Sequence, residues 1–126
     1  MRTTYLLGFL LVAACGGSES DRLGVGAECT SMDDCLQTDE IQMECLQQFA
    51  GGYCGLVDCT GDIDCPEDAA CIAHDDGNNY CFRLCIDKPD CNANRTVDNE
   101  SNCSSNVTFV DGADGRKACV PPSSGI

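Results

Sequence analysis

Three heptapeptides that begin and end with cysteine decide the fold: CTSMDDC at residues 29–35, CTGDIDC at 59–65 and CIDKPDC at 85–91. In each of them an aspartate directly precedes the second cysteine. Three matches in both cysteine spacing and aspartate position indicate an internal repeat. Two further cysteines follow each heptapeptide, which gives three sets of four: Cys29, Cys35, Cys45 and Cys54; Cys59, Cys65, Cys71 and Cys81; Cys85, Cys91, Cys103 and Cys119.

The second half of each repeat has the pattern of a β-hairpin. In the middle repeat, residues 71–74 and 79–82 flank the turn sequence DDGN. In the third repeat, residues 107–110 and 117–120 flank the glycine-rich loop DGADG. Asp-Gly turns between β-branched or aromatic residues favour hairpins. The first repeat has a weaker form of the pattern around Ala50-Gly51-Gly52, after a segment, LQTDEIQMEC, that is predicted to form one helical turn capped by Thr38.

Cross-links are expected to stabilise this chain in place of a large core. Thirteen of the 126 residues are cysteine, tryptophan is absent, and only seven residues are phenylalanine or tyrosine. Each disulfide typically contributes ~2–4 kcal/mol to stability. Four cysteines in a repeat allow three pairings, of which we prefer first-to-third and second-to-fourth, because it attaches the loop to both hairpin strands. The predicted fold is small and disulfide-rich: three tandem four-cysteine repeats, each a loop plus a short β-hairpin, with little helix.

Charge and cysteine content restrict the environment and the partners. The chain carries 21 acidic and 7 basic residues, a formal net charge of −14. Such a surface repels phosphate backbones, so we expect no nucleic-acid binding. Because cytosolic thiols stay reduced, the cysteine density favours an oxidising compartment outside the cytoplasm.

The thirteenth cysteine, Cys15, follows a short apolar run near the amino terminus. This run is too short to span a bilayer and has the pattern of a secretory signal peptide over residues 1–14. The motif Val12-Ala13-Ala14-Cys15 resembles the lipobox of bacterial lipoprotein precursors. That resemblance implies diacylglycerol on the Cys15 sulfur, cleavage before Cys15 and acylation of the new amino terminus, for example with palmitate. Lipidation of Cys15 would leave an even number of twelve cysteines for pairing.

The remaining chain divides into a tether, three repeats and a tail. Residues 15–28 are rich in glycine, serine and acidic side chains and are predicted to form a flexible tether. The repeats are assigned to residues 29–57, 58–83 and 84–120, and the tail to 121–126. Gly16, rather than aspartate, follows the lipobox cysteine, which resembles the sorting signal of lipoproteins that reach the outer membrane, on its periplasmic or cell-surface face.

The cysteine pattern from Cys29 to Cys119 is similar to cysteine-rich modules of bacterial surface lipoproteins, which resemble Dickkopf-type amino-terminal or epidermal-growth-factor-like domains. The similarity rests on cysteine spacing and on the Asp-Cys element, and the chain lacks the Cys-x-Cys pair of growth-factor-like modules. Membership of this group implies a structural or binding role without catalysis.

Calcium is the cation best suited to the side chains in the turns. Hard oxygen ligands occur in DCTGDIDC, as Asp58, Asp62 and Asp64, and in HDDGNN, as Asp75, Asp76, Asn78 and Asn79. We nevertheless favour turn capping for these residues, since aspartate commonly bonds its own backbone in turns. His74, the only histidine, is likewise interpreted as a turn residue. No metal site and no cofactor is predicted.

Four Asn-x-Ser/Thr sequons lie close together in the third repeat, at Asn94, Asn99, Asn102 and Asn106. In a bacterium they indicate a polar loop, and in a eukaryote they would indicate glycans.

The sequence thus favours a non-enzymatic, lipid-anchored surface or periplasmic protein that binds an unidentified protein ligand or serves structurally. The alternative is a soluble secreted cysteine-rich effector or inhibitor, released after ordinary signal-peptide cleavage. An enzyme is not favoured, because no acid, base and nucleophile are grouped in the sequence.

Overall fold

A computed structural model describes residues 24–125, which form short β-strands and irregular loops held by disulfides. The strands are β1 (Glu44–Cys45), β2 (Cys54–Gly55), β3 (Ala69–Ala73), β4 (Asn79–Cys85), β5 (Asn102–Ser104), β6 (Thr108–Phe109) and β7 (Lys117–Val120). Helix α1 spans Lys88–Cys91, and single 3-10 turns lie at Met32–Asp34, Asp62–Asp64 and Val97–Asn99. The prediction of a small, disulfide-rich fold with little helix is confirmed.

Six disulfides join the twelve repeat cysteines, and each lies within one repeat. They are Cys29–Cys45, Cys35–Cys54, Cys59–Cys71, Cys65–Cys81, Cys85–Cys103 and Cys91–Cys119. This is the first-to-third and second-to-fourth pairing that we preferred from the sequence. In each repeat, sulfurs from both bridges approach within 4.8 Å of one another. The two bridges therefore meet and fasten the heptapeptide to the strands behind it.

The first repeat contains the predicted hairpin but not the predicted helical turn. Strands β1 and β2 are antiparallel, with Cys45 opposite Cys54. The segment before β1 turns back on itself instead, with a β-bridge between Gln37 and Gln42. Thr38 caps this turn, because its Oγ1 accepts a hydrogen bond from the Ile41 amide at 3.0 Å. The predicted helical turn is absent. The end of the segment, Glu44–Cys45, is held in an extended conformation by the Cys29–Cys45 bridge and by the pairing of β1 with β2.

The second and third repeats share one five-stranded sheet with the strand order β5-β7-β4-β3-β6. Strands β3 and β4 form the predicted hairpin of the second repeat, with Cys71 opposite Cys81. Although these two cysteines are neighbours across the hairpin, each is bonded to the heptapeptide loop, to Cys59 and Cys65 respectively. The hairpin and its loop are therefore a single cross-linked unit.

The hairpin predicted for the third repeat is wrong, although its turn was located correctly. The strands on either side of the DGADG loop do not pair: β6 lies beside β3, and β7 lies between β4 and β5. Pairing with β3 places Phe109 next to Ile72, where the phenylalanine ring is buried. The loop itself is held against the second repeat by an ion pair of 3.0 Å between Arg116 and Asp62. Contacts with another repeat therefore prevail over the local turn signal.

The core lies between the repeats. Phe49 and Tyr53 of the first repeat make edge contacts with Phe82 of β4, at ring-centroid distances of 5.7 and 5.2 Å. The buried Tyr53 hydroxyl donates to the carbonyl of Cys119 at 3.1 Å and accepts from the amide of Arg83 at 3.1 Å. One side chain of the first repeat thus joins all three repeats.

Arg95 connects the third repeat to the first repeat through hydrogen bonds to backbone carbonyls. Its guanidinium donates to four backbone carbonyls, those of Asn99 (2.7 Å), Ala50 (2.7 Å), Gly52 (2.8 Å) and Gly26 (3.2 Å). It also lies over the Tyr53 ring, 5.6 Å from the centroid. Partial burial lowers the pKa of Arg95, but a guanidinium remains charged at neutral pH.

Both ends of the described chain pack on the first repeat. Residues 24–28, which were predicted to belong to the tether, are part of the folded domain: Val25 and Ala27 are buried, and Gly26 and Ala27 exchange backbone hydrogen bonds with Cys54. At the other end, residues 122–124 bond to the backbone of 48–50. The folded domain is therefore longer at both ends than its span of cysteines.

Candidate functional site

The three heptapeptide loops have a common internal support, the aspartate that precedes the second cysteine. One carboxylate oxygen of Asp34 accepts from the Thr30 amide at 2.8 Å, and one of Asp64 accepts from the Thr60 amide at 2.8 Å. Asp90 accepts from the amides of Ile86 and Asp87 at 2.9 and 3.1 Å. The repeated aspartate therefore closes the loop onto its own backbone. The same amide bonds hold the pKa values of Asp34 and Asp64 below their ordinary range.

Each of these loops also presents one large aliphatic side chain to solvent. Met32, Ile63 and Ile86 have fractional exposures of 47%, 94% and 78%. We call these three residues the loop aliphatics. They are three of the five exposed large hydrophobic residues within residues 24–125. Since the loops are held by two disulfides and an internal carboxylate, the loop aliphatics stand on a fixed backbone.

Two shallow grooves lie beside two of the three loop aliphatics. Met32 lines a groove of about 570 Å³ together with Leu46, Gln48 and Val57. Ile86 lines a second groove of about 290 Å³, in which Leu84 supplies further apolar surface. The charged residues of this groove are Asp68, Asp90 and Arg83. Apolar side chains and carboxylates are thus adjacent on this surface.

Two of the aspartates in the possible calcium ligand set, Asp62 and Asp64, use their carboxylates in structural contacts. Asp62 accepts from the Cys71 amide at 2.9 Å through one oxygen and pairs with Arg116 through the other. Asp58, which has a positive φ of 60°, donates its amide to the carbonyl of Asn79. Asp64 closes its own loop. Within the described part of the chain, the groupings of three ligand-type side chains consist of disulfide-bonded cysteines.

The DDGN turn is built from its own polar side chains. Asp76 accepts from the Tyr80 hydroxyl at 2.6 Å and from the Asn78 amide at 2.9 Å. Partial burial opposes ionisation of Asp76, but these hydrogen bonds and nearby His74 lower its pKa overall. Asn79 donates its side-chain amide to the carbonyl of Cys59 at 3.0 Å. These contacts are those of a capped turn.

His74 begins this turn, as predicted, and has a further role that the sequence did not indicate. Its backbone amide donates to the Asn78 carbonyl at 2.9 Å. Its ring makes edge contacts with Phe49, Tyr80 and Phe82 at centroid distances of 5.5–5.8 Å. The imidazole thus closes one side of the aromatic core. Contacts between repeats leave no periodic signal in a sequence, so this role could not be predicted.

A third concavity, of about 230 Å³, lies at one end of the five-stranded sheet. The chain from β5 to β6 connects the two outer strands of the sheet, and this connection lines the cavity together with the ends of β3 and β7. Two of the four sequon asparagines, Asn102 and Asn106, contribute to the lining.

Cys15, the predicted lipidation site, lies outside the described residues, as do residues 1–14. Among residues 24–125, no helix has the length and apolar composition needed to cross a membrane. No model of a known protein family, no curated protein and no solved structure matches the chain.

Proposed function

We propose that this protein is a lipid-anchored, non-enzymatic binding protein that contacts a protein partner through its three heptapeptide loops. The observation that carries the proposal is the presence of one exposed aliphatic residue on each loop. Isolated apolar residues are common on protein surfaces, but here one recurs in every repeat, at Met32, Ile63 and Ile86.

Loop rigidity supports a role in binding. Ordering flexible side chains and loops on association costs free energy, which a preorganised surface avoids. The loops are fixed in advance by disulfides and by the carboxylates of Asp34, Asp64 and Asp90. Aliphatic contacts on such a surface can therefore contribute to affinity without the cost of ordering the loop.

The loop charges indicate the chemistry of the partner. Every loop carries at least two aspartates, and the whole chain has a net charge of −14. A complementary surface would present apolar side chains surrounded by lysine or arginine. Association should then be fastest at low ionic strength and slow as salt is added.

The loop contact can be tested by site-specific photo-crosslinking in cells. A photoreactive residue at position 63 or 86 should give an adduct with a second protein, and excess purified wild-type protein should suppress it. A matched probe at Ser105, an exposed position outside the loops, should give none. Equal adducts at all three positions, or adducts at none, would contradict a role for the loops.

The lipid anchor is a separate part of the proposal, supported by the Val12-Ala13-Ala14-Cys15 motif and by the even number of cysteines that remain without Cys15. A Cys15→Ser variant should lose membrane association and acyl mass while its six disulfides still form. Fractionation and intact-mass measurement check this outcome. Membrane association that persists in Cys15→Ser, or a wild-type protein without acyl mass, would favour the soluble secreted alternative.

A further inference from the structure

The cavity at the end of the five-stranded sheet has a polar rim and an apolar floor. Val107 and Val120, both half-buried, supply aliphatic surface, and the fully buried Ile72 lies beneath them. Asn102, Asn106 and Thr108 supply two amides and a hydroxyl. This combination is typical of small-molecule sites, in which a few polar groups orient a ligand against an apolar surface.

The polar groups of the rim are available to a ligand. Within residues 24–125 the side chains of Asn102, Asn106 and Thr108 make no hydrogen bond to another protein group, in contrast to Asn79 and Asn92, whose amides bond to backbone carbonyls. The sequence spacing explains their convergence. The two consecutive sequons place amide and hydroxyl side chains at every second position from 102 to 108, and the β5–β6 connection brings both sequons to one cavity.

The hydrogen-bonding groups and the charge of the rim indicate which class of ligand the cavity can bind. Amides and hydroxyls each donate and accept hydrogen bonds, as do the hydroxyl groups of a polyol. An anion is disfavoured by Asp75 at the rim and by the net charge of −14. A metal cation would find one carboxylate there, whereas calcium takes six to eight oxygen ligands. The volume of about 230 Å³ lies below the range of roughly 300–1,000 Å³ that is usual for drug-sized ligands.

We propose that this cavity binds a neutral, hydroxyl-rich ligand of the size of one sugar residue. The ring hydroxyls would bond to the asparagines and Thr108, while the aliphatic face of the ring would lie on Val107 and Val120. The site is distinct from the heptapeptide loops and does not depend on the lipid anchor. This proposal can therefore be tested independently of the function proposed above.

The test is an NMR titration of the oxidised protein with three neutral probes, glucose, N-acetylglucosamine and myo-inositol, and one anionic relative, glucuronate. At least one neutral probe should give saturable amide shifts confined to residues 72–75, 102–108 and 120. Because the site is small and its contacts few, the dissociation constant should be on the order of 1 mM. Glucuronate should bind more weakly, because Asp75 and the net charge of −14 repel its carboxylate.

Variants distinguish the cavity from adventitious binding. Asn106→Ala and Thr108→Val each remove one rim group and should weaken binding roughly 3- to 10-fold, whereas Ser105→Ala, which alters an exposed neighbour outside the lining, should not. The amide spectrum and complete disulfide formation verify folding of each variant. The proposal is overturned if no neutral probe gives saturable shifts in the wild type. Equal binding of glucuronate, or unchanged affinity in both rim variants, would also overturn it.

Discussion

A few polar side chains hold this protein together by satisfying backbone groups that regular secondary structure would otherwise satisfy. The heptapeptide aspartates accept from amides at the start of each loop, and Arg95 donates to four carbonyls of the first repeat and its surroundings. With so few residues in strands, many backbone groups need such partners. The aspartates could be recognised from their repetition in the sequence. Arg95 could not, because its partners lie in distant segments that no local pattern connects.

Replacing Arg95 with lysine should therefore destabilise the protein although the charge is kept. Lysine has no planar fork of donors and cannot reach four carbonyls at once, so buried carbonyls are left unsatisfied. We expect a loss of about 1–3 kcal/mol in the free energy of unfolding, measured by thermal unfolding of the oxidised protein. The matched control is Lys88→Ala, which removes an exposed ion pair with Glu100 and should cost below about 1 kcal/mol. Equal effects of the two variants would contradict this role.

The low pKa values of Asp34 and Asp64 predict how the loops respond to acid. Because amide hydrogen bonds favour the ionised carboxylate in the folded state, the pKa is lower there than in the unfolded chain. The stabilisation is complete above the unfolded pKa of roughly 4 and is lost as the pH falls through the lower folded pKa. The amide signals of Thr30 and Thr60 should therefore shift only below about pH 4.

An Asp64→Asn variant provides the control for this titration. It should abolish the acid-dependent shift of the Thr60 amide and leave that of Thr30 unchanged, since each aspartate bonds only within its own heptapeptide. A Thr60 amide that still titrates in the variant would show that another group controls it.

Strand pairing was predictable where a turn and its two strands form one local unit, and not where the partners lie far apart. The DDGN turn joins β3 and β4 directly, and this hairpin is present as predicted. The third repeat has an equally clear turn signal, yet β6 and β7 pair with strands of other segments, where Phe109 and Ala118 become buried. Turn residues report the local backbone path, whereas burial against another repeat depends on the assembled fold.

The first hairpin depends on a glycine that packs directly against a disulfide. A Cβ atom on Gly52 would lie 2.2 Å from the Cys29 carbonyl oxygen and 2.8–2.9 Å from the sulfurs of the Cys29–Cys45 bridge. Its φ of +71° is also unfavourable for other residues. Gly52→Ala should therefore hinder formation of this bridge, so that free thiols appear in mass analysis after oxidative folding.

Gly77 provides the matched control, because it has a similar φ of +90° but nothing within 4 Å of an added Cβ atom. Gly77→Ala should lower stability by about 1–2 kcal/mol and still form all six bridges. If Gly52→Ala also oxidises completely, the close packing against the bridge is not required for folding.

Residues 24–125 form one folding unit despite their repeated sequence. The disulfides stay within repeats, but the apolar core is shared: Phe49 and Tyr53 of the first repeat pack on Phe82 of the second, and Tyr53 bonds to Cys119 of the third. A chain with few large aromatic residues cannot build three separate cores. The repeat pattern predicted the cross-links correctly, while the cooperation between repeats was visible only in the structure.

A peptide of residues 58–83, the isolated second repeat, should consequently fail to fold like the intact protein. In the full chain its strands β3 and β4 are flanked by β6 and β7, and its aromatic rings are covered by the first repeat. After oxidative refolding we expect a mixture of the three possible pairings of its cysteines and poor dispersion of amide signals. Full-length protein refolded in parallel should give one pairing. A single, natively paired peptide product would show that the repeats are autonomous.

The position of the bridges also determines how the protein responds to mechanical load. The second bridge of each repeat joins cysteines that are 19, 16 and 28 positions apart. A force applied to the two termini is therefore carried by the disulfide bonds and not by the chain between the bonded cysteines. Each residue can contribute at most about 3.3–3.6 Å of extension, and the bypassed residues contribute none while the bridges are intact. Force spectroscopy should find a short contour length for the oxidised protein and nearly the full contour length after reduction.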